Sequence, residues 1–362
     1  MAFAVEPVWA HGTAPTTAVV ICNLGTPEAP TPAAVRRYLA EFLSDPRVVE
    51  LPRLLWLPLL HAVILRIRPA RSARKYASIW TDAGSPLKVW TEKQALLLAG
   101  YLGQRGHGVV VRHAMRYGTP SIASVLDEVR SGGADRVLLV PLYPQYSAST
   151  TASIADALAA WVRRTRNLPE LRFVKHYHDD PAYVDALARR ISDHWMTHGR
   201  PDRLVLSFHG MPRRTLALGD PYHCECLKTG RLLADRLKLA ADFVVVTFQS
   251  RFGNAEWLTP YTEPTVVAMA RAGIGRVDVA CPGFVSDCLE TLEEIDQEAR
   301  AAFVAAGGTA FGYIPCLNDQ HEWIAALAGV AIRHMEGWDT RDGDSAALAS
   351  QRQRALATGA LV

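Results

Sequence analysis

The sequence predicts an α/β protein of two doubly wound halves with parallel sheets. Short β-branched runs alternate with helical patterns throughout the chain, as in a parallel sheet covered by helices on both faces. A polar cap followed by proline recurs at Thr31-Pro32, Ser85-Pro86, Thr119-Pro120 and Asp180-Pro181, a signature of helix starts. At 362 residues and 49% hydrophobic, the chain is long enough for two ordinary cores.

Taken in order, Ala18 to Asn23 reads as the first buried strand, and Leu24-Gly-Thr-Pro27 turns the chain towards the helix begun by Thr31-Pro32. Seven further runs follow: Val109 to Arg112, Arg136 to Leu142, Leu171 to Lys175, Arg203 to Phe208, Phe243 to Phe248, Val277 to Cys281 and Thr309 to Ile314. Gly103, Gly132, Gly199 and Gly273 stand where intervening helices would stop. The expected division is 17–168 for the first domain and 169–335 for the second, with the stretch from Gly337 to Val362 frayed, being polar and rich in small residues. No short repeat period marks a solenoid.

A net charge of +3 with 21% charged residues is too balanced for a nucleic-acid footprint. The first seventeen residues lack the basic start and apolar core of a signal peptide, so a cytoplasmic protein with reduced cysteines is expected. No apolar run reaches the about 18 residues that span a bilayer. The segment Leu51 to Lys75 joins an apolar stretch with Trp56 to Arg66, Arg68, Arg71, Arg74 and Lys75. Such a segment suits an apolar ligand mouth or an anionic membrane surface, and equally a buried helix followed by a solvated basic one.

Two stretches carry chemistry. Leu204 to Phe208 delivers His209 at a strand end, where open α/β sheets bind ligands. Cys281-Pro-Gly-Phe-Val-Ser-Asp-Cys-Leu-Glu290 leads into a helix on which Asp287, Glu290, Glu294 and Glu298 form one stripe at spacings of three and four. Asp287-x-x-Glu290 also fits a capping box, and a polar stripe is what a solvated face looks like. Imidazole with carboxylates can hold a borderline divalent ion, and a histidine also takes up protons near neutral pH. Tyr143, Tyr146, Phe252, Trp257, Tyr261 and Phe284 gather in loops after the strands, a surface suited to a large flat ligand although each alone is ordinary packing. Neither a phosphate loop nor G-x-G-x-x-G after the first strand occurs. Cys224-x-Cys226 has no second pair at zinc-finger distance.

The ordered set Asn23-Leu-Gly-Thr-Pro27, Gly84-Ser-Pro-Leu87, Tyr143-Pro-Gln-Tyr-Ser147, Ser207-Phe-His-Gly210, Gly219-Asp-Pro-Tyr222, Gln249-Ser-Arg-Phe-Gly253, Trp257-Leu-Thr-Pro-Tyr-Thr262 and Cys281-Pro-Gly-Phe284 with Asp287-Cys-Leu-Glu-Thr291 closely resembles the ferrochelatases. The resemblance runs from Asn23 to about Asn318. It implies two Rossmann-like domains with a porphyrin cleft between them, insertion of ferrous iron, and a place at the end of haem biosynthesis. It implies His209 and Glu290 as catalytic and metal-handling residues, with Asp287 beside them and Glu294 and Glu298 along an acidic path. It implies Leu24, Arg116, Tyr146, Trp257 and Phe284 as porphyrin-binding. Ferrochelatases that use coproporphyrin typically have tyrosine where Leu24 stands, so protoporphyrin IX is the expected substrate.

No cofactor is expected beyond the substrate Fe2+. A two-iron two-sulfur cluster of the kind some members carry is disfavoured, since no cysteine follows Cys316 and Cys224 and Cys226 would need two further thiolates. The order in which His209 and Glu290 meet metal and protons, and the oligomeric state, stay open. A peripheral contact on the inner membrane surface is compatible with Leu51 to Lys75. The competing readings are a chelatase for another divalent ion, a user of coproporphyrin, and a non-catalytic porphyrin or haem carrier. A nucleotide-binding oxidoreductase is disfavoured by the missing glycine fingerprint.

Overall fold

Each half of the chain forms a four-stranded parallel sheet with the same strand order. The computed structural model describes residues 3–7, 10–253, 255–341 and 345–361. The first sheet contains β1 (Thr16–Gly25), β2 (Val109–Tyr117), β3 (Ala134–Pro141) and β4 (Glu170–Phe173), ordered β2-β1-β3-β4. The second contains β5 (Arg203–His209), β6 (Val244–Gln249), β7 (Arg276–Ala280) and β8 (Ala310–Tyr313), ordered β6-β5-β7-β8. All eight strands lie where β-branched runs predict them.

The apolar runs exist because both faces of each central strand are covered. Ala18, Val20 and Cys22 pack under the Ile122–Ser131 and Ser153–Val162 helices, while Val19 and Ile21 face the opposite way into a larger core. That larger core joins the halves: Leu138 and Val140 of β3 share it with Leu204, Leu206 and Phe208 of β5. Helices Pro86–Gln104, Pro181–His198, Tyr222–Arg236 and His321–His334 contribute to it, the last through fully buried Trp323.

The order reverses between β1 and β3 and again between β5 and β7. Ligands of open α/β sheets bind beyond the carboxyl ends of strands at such reversals. Here those ends carry Leu24, Tyr143 and Tyr146 in one half and His209, Phe284 and Glu290 in the other.

Three expectations about boundaries change. β4 pairs with β3 from Glu170 to Phe173, so the first sheet extends past the expected 168/169 division, and the chain crosses to the second half between residues 174 and 180. Proline starts three helices as expected, but Pro120 stays in the bend before the helix: its carbonyl accepts from Met115 N at 2.7 Å, and Ser121 caps the helix instead. The stretch from Gly337 is not frayed as a whole. Trp338 is buried under Arg172, Thr340 bonds His107 and Gly108 of the first half, and Ser345–Ala357 is helical. Its alanines favour helix, which a composition of small and polar residues hides. Residues 342–344 and 362 of that stretch lie outside the described residues.

One buried side chain ties the halves beside the reversal points. Gln94 of the Pro86–Gln104 helix is fully buried and donates from Nε2 to the carbonyls of Val285 at 2.9 Å and Asn318 at 2.7 Å. Gln94→Leu is expected to orphan both acceptors and cost about 2–4 kcal/mol, read as a lower urea midpoint at unchanged slope; an unchanged midpoint would show that the link carries no stability.

Candidate active site

His209 ends β5 opposite Gln249 of β6. The next residue must be glycine, since a Cβ on Gly210 would lie 2.4 Å from the Gln249 carbonyl oxygen and 3.1 Å from the Trp257 ring. The turn sets the tautomer. His209 Nδ1 lies 2.6 Å from the Gly210 carbonyl oxygen, which can only accept, so Nδ1 carries the proton and Nε2 keeps the lone pair available to a proton or metal ion. The ring stands 6.4 Å from that of Phe284.

The acidic segment departs from the α-helical reading. Residues Glu290–Ala299 form a π-helix that continues as an α-helix over Arg300–Ala305. Hydrogen bonding to the fifth residue brings positions five apart onto one face. Glu293 and Glu298 thereby share Lys75, with Nζ at 2.8 Å from Glu293 and 2.9 Å from Glu298. Glu298 and Glu293 thus both accept from the one Lys75 ammonium group. The pairing also ties the Leu65–Ile79 helix of the first half to the second.

Glu294 belongs with Glu290 and His209. Its carboxylate accepts from Ser250 N and from Ser250 Oγ, each at 2.5 Å, and from Gln249 Nε2 at 3.4 Å. The same Gln249 nitrogen donates to the Glu290 carbonyl at 2.7 Å. Ser250 holds this position at φ 66°, a left-handed conformation unusual for a residue with a side chain. Strain of about 1–3 kcal/mol is typical of such residues at functional sites. Burial pushes the Glu294 carboxyl above its ordinary range; Ser250 and His209 oppose that shift, and Glu290 adds to it.

Asp287 lies before the helix and does not cap it. Its buried carboxylate accepts from Tyr313 Oη at 2.5 Å, Asn318 Nδ2 at 2.7 Å, Cys316 N at 3.1 Å and Thr291 Oγ1 at 3.4 Å. These donors occupy its oxygens, so the geometry makes Asp287 a positioning group for the loop that leads to Glu290.

The opposite wall comes from the first half. Tyr38, Tyr76 and Tyr143 are desolvated by burial, which pushes their phenols well above the ordinary range, and the nearby Glu290 carboxylate adds to each shift. Leu24 packs on the same cluster as Trp56 and Leu289, against Tyr38, Tyr76 and Tyr117. Tyr146 is half-buried under the Lys175 ammonium group, 5.1 Å from its ring. Trp257 is buried edge-on to Phe252, and its indole N–H has no hydrogen-bond partner among the described residues. Arg116 lies over the Tyr117 ring, 4.5 Å from its centre, and its guanidinium is already engaged: Nη2 donates to Asp45 at 2.6 Å and Nε donates to Ser153.

The supporting residues Gln94, Ser250, Tyr38 and Tyr76 escape sequence reasoning, because each gains its role from a partner distant in the chain. Asn318 is similar, although its tolerance of a left-handed backbone, here φ 46°, is a general property of asparagine. The six cysteines are free thiols, Cys224 exposed and the other five buried.

Comparison with known proteins shows the family. The ferrochelatase family model matches residues 16–335. A ferrochelatase of Methylibium petroleiphilum is 66% identical over 361 residues, covering 99% of each chain. One from a Polaromonas species is 62% identical over 365 residues, covering 99% of this chain and all of its own. Among solved structures, SirB from Bacillus subtilis with Fe3+ superposes with a TM-score of 0.54 at 13% identity, covering 90% of this chain and 100% of that one, a likeness of fold. The chain therefore belongs to the ferrochelatase family, and it is a metal chelatase of haem biosynthesis.

Proposed function

We propose that the cleft inserts Fe2+ into protoporphyrin IX and releases two protons, with His209 Nε2 as the first proton acceptor and Glu290 as the metal or proton relay. The observation that carries this reading is the Nδ1 contact to the Gly210 carbonyl, which leaves Nε2 with its lone pair. A free-base porphyrin must lose two pyrrole protons as the metal enters. His209 takes one, and the Glu290–Glu294 pair offers the second acceptor, Glu294 having an elevated proton affinity. Phe284, Tyr146 and Trp257 supply flat contacts that favour a distorted macrocycle, a use of binding energy at the reacting centre.

The apolar setting of Leu24 supports protoporphyrin over coproporphyrin. Coproporphyrin's two additional carboxylates would need cations, whereas Leu24 lies among Trp56, Leu289 and buried phenols, and Arg116 is already paired with Asp45. No resident cofactor enters this scheme, and the purified protein is expected to lack two-iron two-sulfur absorbance.

The mouth segment suits an apolar substrate held at a membrane surface. Leu54, Leu55 and Ile67 are 91%, 72% and 71% exposed, beside exposed Arg66, Arg71 and Arg74. No helix among the described residues is long and apolar enough to cross a membrane. Peripheral contact with an anionic inner surface, from the cytoplasm, fits this arrangement.

Anaerobic insertion of Fe2+ into protoporphyrin IX, followed by absorbance, is expected for the parent protein. His209→Ala and Glu290→Gln should each lower kcat by about 10²-fold or more while porphyrin still binds. Porphyrin binding without insertion by the parent would replace this reading with a carrier, and faster turnover of coproporphyrin would overturn the substrate assignment.

Glu294 gives a pH test. An acid with a raised folded pKa binds its proton more tightly in the native state, so its contribution to stability falls as pH rises from its ordinary value of 4.5 through the folded value. Glu294→Gln should flatten that fall in urea unfolding measured across the window; an equally steep profile would remove the raised affinity from the scheme.

Flotation with phosphatidylserine-containing vesicles should retain the parent at low salt. Serine replacements of Leu54, Leu55 and Ile67 together should abolish retention, and retention by that variant would exclude this face as the contact.

A further inference from the structure

We infer a second metal site, separate from the His209 centre, in which His176, His178 and Glu225 bind a divalent transition-metal ion. One ligand atom from each lies within 4.8 Å of the others. His176 Nδ1 is 2.7 Å from Glu225 Oε1, and His178 Nδ1 is 3.3 Å from Glu225 Oε2. His178 is 5% exposed, yet its Nδ1 makes no hydrogen bond among the described residues. A buried polar nitrogen left in that state calls for a partner, and an ion beside Glu225 supplies one.

The geometry is close to what such an ion requires. Tetrahedral bonds of about 2.0–2.1 Å set ligand atoms about 3.3 Å apart. The His178–Glu225 separation already has that value. His176 stands closer and must open slightly; its side chain, 38% exposed, has room to move and leaves an approach from solvent. Two imidazoles with one carboxylate suit Zn2+, Co2+ or Fe2+ better than Mg2+ or Ca2+.

Outer contacts hold the ligands. Thr229 Oγ1 donates to the carbonyls of His178 at 2.9 Å and Glu225 at 3.0 Å. Asp179, bonded to Lys228, lies 3.9 Å from Nε2 of His178, a charge near the ring and beyond hydrogen-bond reach. Tyr146 N donates to Glu225 Oε2 at 2.7 Å. The histidines follow β4 of the first half, and Glu225 lies on the Tyr222–Arg236 helix of the second. A bound ion would therefore clasp the halves together and fix the loop that presents Tyr146 to the cleft.

The test uses full-length, metal-free protein carrying His209→Ala and Glu290→Ala, so that binding at the centre is removed. Titration with Zn2+ alone by calorimetry should show one equivalent bound, and Co2+ alone should give visible ligand-field bands. Adding Glu225→Gln, which keeps an acceptor for Tyr146 N–H, or His176→Ala at its half-buried position should abolish the bands and weaken Zn2+ binding by about 100-fold or more. Zn2+ should raise the melting temperature of the background protein and not of either variant. Failure of the background protein to bind Zn2+, or equal binding by the Glu225→Gln variant, would overturn the proposal.

Discussion

A carboxylate taken out of water must collect donors or give up its charge, and the donors around Asp287 come from three parts of the second half. Tyr313 ends β8, Cys316 and Asn318 follow it, and Thr291 lies in the π-helix. Removing one donor to such a group costs about 1.5–3 kcal/mol, so the loop from β7 to Glu290 has little freedom. Asn318 passes the constraint on, since its carbonyl receives Gln94 from the first half. The position of Glu290 relative to the opposing phenols thus depends on a chain of buried polar contacts starting at Asp287.

The centre itself combines rigid donors with a poorly solvated wall. Ser250 fixes Glu294 from a strained backbone, and Gln249 holds the Glu290 carbonyl and reaches Glu294 with one amide group. Opposite stand Tyr38, Tyr76 and Tyr143, whose burial lowers the local capacity to solvate charge. In such surroundings charge interactions are stronger than in water. A cation brought near Glu290 and Glu294 there would gain more than it would in water. The setting that raises the proton affinity of Glu294 also strengthens its attraction for a metal ion.

The strands were legible because Ala18 to Asn23 and its seven counterparts must be apolar on both faces, a constraint written in consecutive residues. His209 was legible for a related reason, standing where one such run stops. The π-helix was not: Glu290 to Ala299 has the apolar spacing of an α-helix, and only the sharing of Lys75 by Glu293 and Glu298 exposes the five-residue period. Asp287 fitted a capping box in sequence, yet its donors lie at Tyr313, Cys316 and Asn318, positions a local pattern cannot reach. Arg116 carries a charge that any anion could use, and its neutralisation by Asp45 requires the fold.

The repeated strand order makes one further division intelligible. Two sheets of the same topology give the chain two sets of strand ends, so both need not supply the same chemistry. The first half presents Leu24, Tyr143 and Tyr146, groups that shape and desolvate. The second presents His209, Glu290 and Glu294, an imidazole and carboxylates suited in kind to protons and divalent ions. A site that both grips a rigid ligand and holds titratable groups at fixed positions is best served by separate supports for the two. The shared core of Leu138, Val140, Leu204, Leu206 and Phe208 lies beneath both supports, so strain applied by one half is opposed by close packing against the other.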